Sequence, residues 1–101
     1  MDNFTRISVQ KAHDMIGSGK FTIVDIRDAG AYAQGHIAQA QNVNDLNIKE
    51  FLEMSDKTIP LMCYCYHGIS SQQAAGYFAN QGFSKVYSID GGWGEWESIY
   101  D

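Results

Sequence analysis

Apolar runs alternate with stretches of helical period along this chain. Phe21-Thr22-Ile23-Val24-Asp25-Ile26 reads as a strand, Leu61 to Cys65 as a strong one, and Lys85-Val86-Tyr87-Ser88-Ile89 as another. Ala40-Gln41-Asn42-Val43 is weaker, and a short opening strand lies near Arg6-Ile7-Ser8. Near-continuous apolar runs suit strands of a parallel sheet covered on both faces.

Helical patterns fill the gaps. Val9, Ala12, Met15 and Ile16 share one face, with Ser8 as the expected N-cap and Gly17 or Gly19 as the stop. Ile48, Phe51 and Leu52 mark a second helix, where Asn47 and Glu50 have the spacing of a capping box. Ser70 and Gln73 repeat that spacing ahead of Ala74, Ala75, Tyr77 and Phe78, with Gly82 at the expected end. Trp93 and Trp96 open a last helix after Asp90-Gly91-Gly92. The alternation predicts an α/β fold: about five strands in a mostly parallel sheet flanked by helices, in one domain over residues 1–101. Loops that bear chemistry then gather at the carboxyl ends of the strands.

Composition narrows the function. Hydrophobic residues make up 45% and charged residues 19%, which is globular and not disordered. A net charge of −5 without a basic cluster argues against nucleic acid and anionic membranes as partners. The first twenty residues hold Asp2, Arg6, Lys11, Asp14 and Lys20, so they lack a signal-peptide core. No run approaches the ~18 apolar residues of a membrane span. Cys63 and Cys65 are one residue apart, and a disulfide between them would be badly strained. Such cysteine usage fits a reducing compartment, so the expected location is the cytoplasm.

The chemistry concentrates at Leu61-Met62-Cys63-Tyr64-Cys65-Tyr66-His67-Gly68-Ile69-Ser70-Ser71. A buried strand delivers Cys65 to a short loop, and a helix follows at once. The loop N–H groups and the positive end of the helix converge on the sulfur. A thiol in such a place drops from ~8.5 toward ~3.5–7.5, and the thiolate is the nucleophile. Gly68 supplies the positive φ that a tight curl needs. Cys63, two residues earlier on the same side of the strand, is expected to pack in the core. Cys-x-Cys is also a poor zinc spacing, so no metal is expected. His67 is expected in a supporting role, His36 as a structural hydrogen-bonding residue, and His13 on a helix surface. Asp25 and Arg27, ending a strand, are expected to form a buried ion pair or clamp that supports the loop.

The loop Cys65 to Ser71 resembles the active-site loop of the rhodanese (thiosulfate sulfurtransferase) family. Val24-Asp25-Ile26-Arg27-Asp28, Tyr32, Gly35-His36-Ile37 and Ala40-Gln41-Asn42 resemble its early signature. Val86-Tyr87-Ser88-Ile89-Asp90-Gly91-Gly92-Trp93 with Trp96 resembles its late one, closest to the short single-domain bacterial members. The resemblance implies a rhodanese-like domain with no cofactor. It also implies a double displacement in which Cys65 takes sulfane sulfur from thiosulfate as a persulfide and passes it to cyanide, a thiol or a dithiol. A thioredoxin-like protein is one such acceptor. Tyr66, His67, Gly68, Ile69, Ser70 and Ser71 would cradle the anion. The alternative is a persulfide carrier module loaded by a partner protein. Many rhodaneses hold the donor anion with Arg or Lys inside the loop; His67 stands alone here, so weak thiosulfate binding is expected. The related cysteine phosphatases need Cys-x5-Arg, and Ser71 occupies the Arg position, which argues against phosphatase chemistry.

Overall fold

A computed structural model describes residues 3–101. The elements run β1 (Thr5–Ile7), α1 (Val9–Ser18), β2 (Thr22–Asp25), α2 (Ala29–Gln34), β3 (Gln41–Asn42), α3 (Ile48–Met54), β4 (Leu61–Tyr64), α4 (Ser70–Asn80), β5 (Val86–Ile89) and α5 (Gly92–Tyr100). The sheet order is β1-β5-β4-β2-β3, and every neighbouring pair is parallel. The fold is therefore the expected α/β one, with β4 at its centre.

Alternate residues of the strands feed two separate cores, because successive side chains point to opposite faces. Ile7, Ile23, Met62, Tyr64 and Ile89 meet Val9 and Ala12 of α1 and Trp93 and Trp96 of α5. Val24, Leu61, Cys63 and Val86 meet Phe51 of α3, Ala75 and Phe78 of α4, and Phe83. Each fully buried large apolar side chain contributes about 1.5–3 kcal/mol. Covering both faces holds β4 rigidly, and the next residue along is Cys65.

Local signals explain the helix limits, with exceptions. Ser8 caps α1 as expected, its Oγ accepting from Lys11 N at 3.0 Å. The helix passes Gly17 and stops at Gly19. Gly82, at φ +100°, follows α4 in the left-handed conformation common after helices. The Asn47–Glu50 capping box does not form: Asn47 Oδ1 accepts from Asn44 N at 2.8 Å and its Nδ2 donates to Asn42 O at 2.9 Å. The side chain closes the β3–α3 loop instead of the helix. Helix α2 has no counterpart in the sequence reading. It is one short turn-and-a-half capped by Asp28, whose side chain accepts from Ala31 N at 2.8 Å, and it buries no residue.

Candidate active site

Cys65 is the first residue beyond β4, and the chain turns back into α4 within five residues. The turn passes through Gly68 at φ +89°. A Cβ there would lie 2.7 Å from Gly91 N, so both conformation and space require glycine. This curl brings Gly68 N–H to 3.1 Å and Ser71 N–H to 3.4 Å from Cys65 Sγ. The Ser71 hydroxyl lies 3.6 Å from the same sulfur.

Ser70, expected as the N-cap of α4, does not cap it. The N-cap of α4 is Ile69, which has no side-chain acceptor, and Ser70 is already the first helical residue. Ser71 N–H, one of the donors a helix leaves free at its start, points at the sulfur. The sulfur thus occupies the place of a capping oxygen. Gln72, not Gln73, ties the turn together, its Nε2 donating to Gly68 O at 2.9 Å.

Two opposed effects set the Cys65 thiol. Burial raises it, but the Ser71 hydroxyl and the N–H groups of Ser71, Gly68 and His67 outweigh burial and hold it below its ordinary value. Cys63 lacks such donors. It is fully buried, its Sγ faces the carbonyls of Ser71 and Tyr87 at 3.4 and 3.6 Å, and burial drives its thiol far upward. Two cysteines on one side of one strand are thus set in opposite directions, and Cys63 is the core residue expected.

Three supports of the loop were not evident from the sequence. The first is Ser88 on β5, fully buried, with Oγ 2.8 Å from Ser71 Oγ. Its signal was available: a serine in an apolar strand needs a hydrogen-bond partner if buried. The second is the start of α5, where Trp93 N donates to Cys65 O at 2.9 Å and Gly94 N to Tyr66 O at 3.0 Å. Gly92 lets these strands of chain meet; at φ +55°, a Cβ there would fall 2.3 Å from Cys65 O. The third is Tyr64, whose hydroxyl accepts from Ile37 N at 3.0 Å.

Asp25 and Arg27 form the expected buried pair, with Arg27 Nη2 2.7 Å from Asp25 Oδ2. Arg27 N also donates to Asp25 Oδ1 at 2.8 Å, and Nη2 to Gly35 O at 2.6 Å. Burial opposes the guanidinium charge, but Asp25 more than offsets it. The guanidinium also lies 5.1 Å from the Trp93 ring, which links the pair to α5. Arg27 is therefore a clamp between β2 and the following loop. His36 is structural as expected: Nδ1 lies 2.8 Å from Tyr32 O and the ring stacks on Tyr32. His13 is exposed, stacked on Tyr100.

The rest of the loop faces outward. Tyr66, His67, Ile69 and Ser70 are exposed, and Ser70 Oγ makes no contact with the sulfur. Ser70 instead borders a groove of about 710 Å³ between α4 and the loops after β2 and β3. Ile26, Val43, Ile48 and Tyr77 give it an apolar floor, and Asp28 and Asp45 stand beside it.

The family profile described as "Rhodanese-like domain" matches residues 8–99. A relative from Pseudomonas paraeruginosa named "Thiosulfate sulfurtransferase GlpE" is 44% identical across 98% of this chain and 89% of its own length. The like-named protein of Pseudomonas fluorescens is 46% identical across 99% and 91%. Among solved structures, a rhodanese-related protein of Thermoplasma volcanium superposes with a TM-score of 0.81 at 22% identity, covering 97% of this chain and 96% of that one. That likeness concerns the fold.

Proposed function

The chain belongs to the rhodanese-like domain family, and we propose that it is a thiosulfate sulfurtransferase working through a persulfide on Cys65. Cys65 Sγ, as thiolate, attacks the outer sulfur of thiosulfate. A new S–S bond forms, the bond to the sulfonate sulfur breaks, and its electron pair leaves with sulfite. The terminal sulfur of the persulfide carries the negative charge. An acceptor thiolate or cyanide then attacks that sulfur, and the electron pair of the cleaved S–S bond returns to Sγ.

One observation carries the reading: Sγ sits at the focus of Gly68 N–H, Ser71 N–H and the Ser71 hydroxyl. Fixed donors of this kind stabilise an anionic sulfur before and after transfer without reorganising, as an oxyanion hole does. Tyr66, His67, Ile69 and Ser70 form the outer rim, where the incoming anion arrives. Arg27 is tied to Asp25 and so supports the site from behind instead of gripping thiosulfate. The acceptor, a small thiol, cyanide or a thioredoxin-like protein, approaches the persulfide across the same exposed rim of Tyr66, His67 and Ile69. Two unpaired cysteines suit a reducing compartment, so we place the activity in the cytoplasm.

A second reading has support of its own. Ile69 is 75% exposed and Tyr66 47%, an apolar pair on the loop itself. Such a surface fits a persulfide carrier loaded by protein contact. Incubation of reduced protein with thiosulfate, removal of the excess and an intact mass separates the two. A gain of one sulfur atom, absent in Cys65→Ser, supports the sulfurtransferase. No gain from a thiol that still alkylates readily favours the carrier. A Cys65 inert to alkylation overturns both.

A further inference from the structure

We infer that Ser88 is a positioning residue that donates to Ser71 Oγ, leaving the Ser71 proton directed at Cys65 Sγ, so that the two serines form a one-way chain ending on the sulfur. The inference rests on the reading of Cys65 as the reactive thiol. Three atoms make the chain, Ser88 Oγ, Ser71 Oγ and Cys65 Sγ, with contacts of 2.8 and 3.6 Å between them. Both serines are fully buried.

The direction follows from counting protons. Each hydroxyl carries one proton, and each contact uses one. Among the described residues, Ser88 Oγ has no hydrogen-bond partner besides Ser71. With a thiolate, the chain holds two protons for two contacts. Both are used only if Ser88 donates to Ser71 and Ser71 donates to the sulfur. With a neutral thiol, the chain holds three protons for two contacts, so one proton has no acceptor within it. A buried donor without an acceptor is costly. The chain therefore selects the anionic sulfur, and Ser88 acts although it never touches it. The sheet itself fixes Ser88, whose register partner on β4 is Cys63, two residues before Cys65.

The test is a double-mutant cycle on the apparent pKa of Cys65, read from the pH dependence of its alkylation rate with the single adduct located by mass. Ser88→Ala should raise that pKa by up to about one unit, because the bond removed joins two neutral hydroxyls and is worth ~1 kcal/mol. Ser71→Ala should raise it at least as much. Adding Ser88→Ala to Ser71→Ala should raise it no further, because Ser88 acts only through Ser71. Ser88→Thr keeps the donor and should leave the pKa near that of the unaltered protein. An unchanged pKa in Ser88→Ala, additive shifts in the pair, or a shift in Ser88→Thr as large as in Ser88→Ala would each overturn the inference. Sulfur loading from thiosulfate by the unaltered protein is a separate readout. Its failure would remove the transferase reading while the cycle still reports on the serine chain.

Discussion

Replacing Gly92 with alanine tests whether α5 holds the loop in place. Two costs are separable. The first is conformational: Gly92 lies at φ +55°, where an L side chain costs about 1–2 kcal/mol. Gly82 at φ +100° incurs a similar cost, and its Cβ would meet only Lys57 Cδ at 3.7 Å. The second cost belongs to Gly92 alone. Its Cβ would stand 2.3 Å from Cys65 O and 2.7 Å from Tyr66 O, distances no backbone tolerates. Those two carbonyls accept from Trp93 N and Gly94 N, so moving them endangers two bonds of about 1 kcal/mol each. Gly92→Ala should therefore cost about 2 kcal/mol more than Gly82→Ala, or ~30-fold in the folding constant. Urea unfolding of both variants, at unchanged slope, measures the difference. Alkylation of Cys65 should slow in Gly92→Ala and not in Gly82→Ala. Equal stability losses, or equal alkylation rates, would refute the idea that α5 sets the sulfur's position.

Two other outcomes follow from the same geometry. Cys65 has its thiol lowered in the folded state, so its stabilising share is present above the ordinary thiol value of ~8.5 and is lost as pH falls from there through the folded value. Cys63 has its thiol raised by burial, so its share is present below ~8.5 and is lost as pH rises beyond it. Urea midpoints across pH should show the stability gap between the unaltered protein and Cys65→Ser widening up to ~8.5, and Cys63→Ala should remove part of the decline above it. A gap independent of pH would contradict the assignment. Asp25→Asn leaves Arg27 charged without its carboxylate, and should cost about 3–5 kcal/mol in the same assay. A loss within the range of a surface substitution would show that the pair is not the clamp described.

Long apolar strands were legible because burial on both faces leaves few polar interruptions. Leu61 to Tyr64 and Val86 to Ile89 show this plainly. Strand β3 was expected over residues 40–43 and spans only Gln41–Asn42, because Ala40 and Val43 enter the two cores from flanking turns. Helix α2 was invisible because it buries nothing, and a helix without an apolar stripe has no period to read. Its one available mark was Asp28. The capping spacing at Ser70 misled for a different reason: the sulfur supplies the acceptor for Ser71 N–H, and no short-range pattern encodes a partner six residues back. Ser88 and Gly92 owe their importance to Ser71 and to the Cys65 and Tyr66 carbonyls, 17 or more residues away in sequence, so only the register and the turn geometry reveal them.

The pairing of β1 with β5 has a consequence for how the protein comes into being. Thr5 lies opposite Tyr87, and His13 of α1 stacks on Tyr100 of α5. A chain emerging from the ribosome makes its first strand early and cannot use it until residues 86–89 appear. The same late segment brings Ser88, Gly92 and the Trp93 N–H to the loop around Cys65. A nascent chain that ends before β5 therefore holds an ordinary cysteine, with neither the serine chain nor the α5 anchor. The set of donors around the Cys65 loop is complete only once residues 86–94 have been made and the fold closes over it.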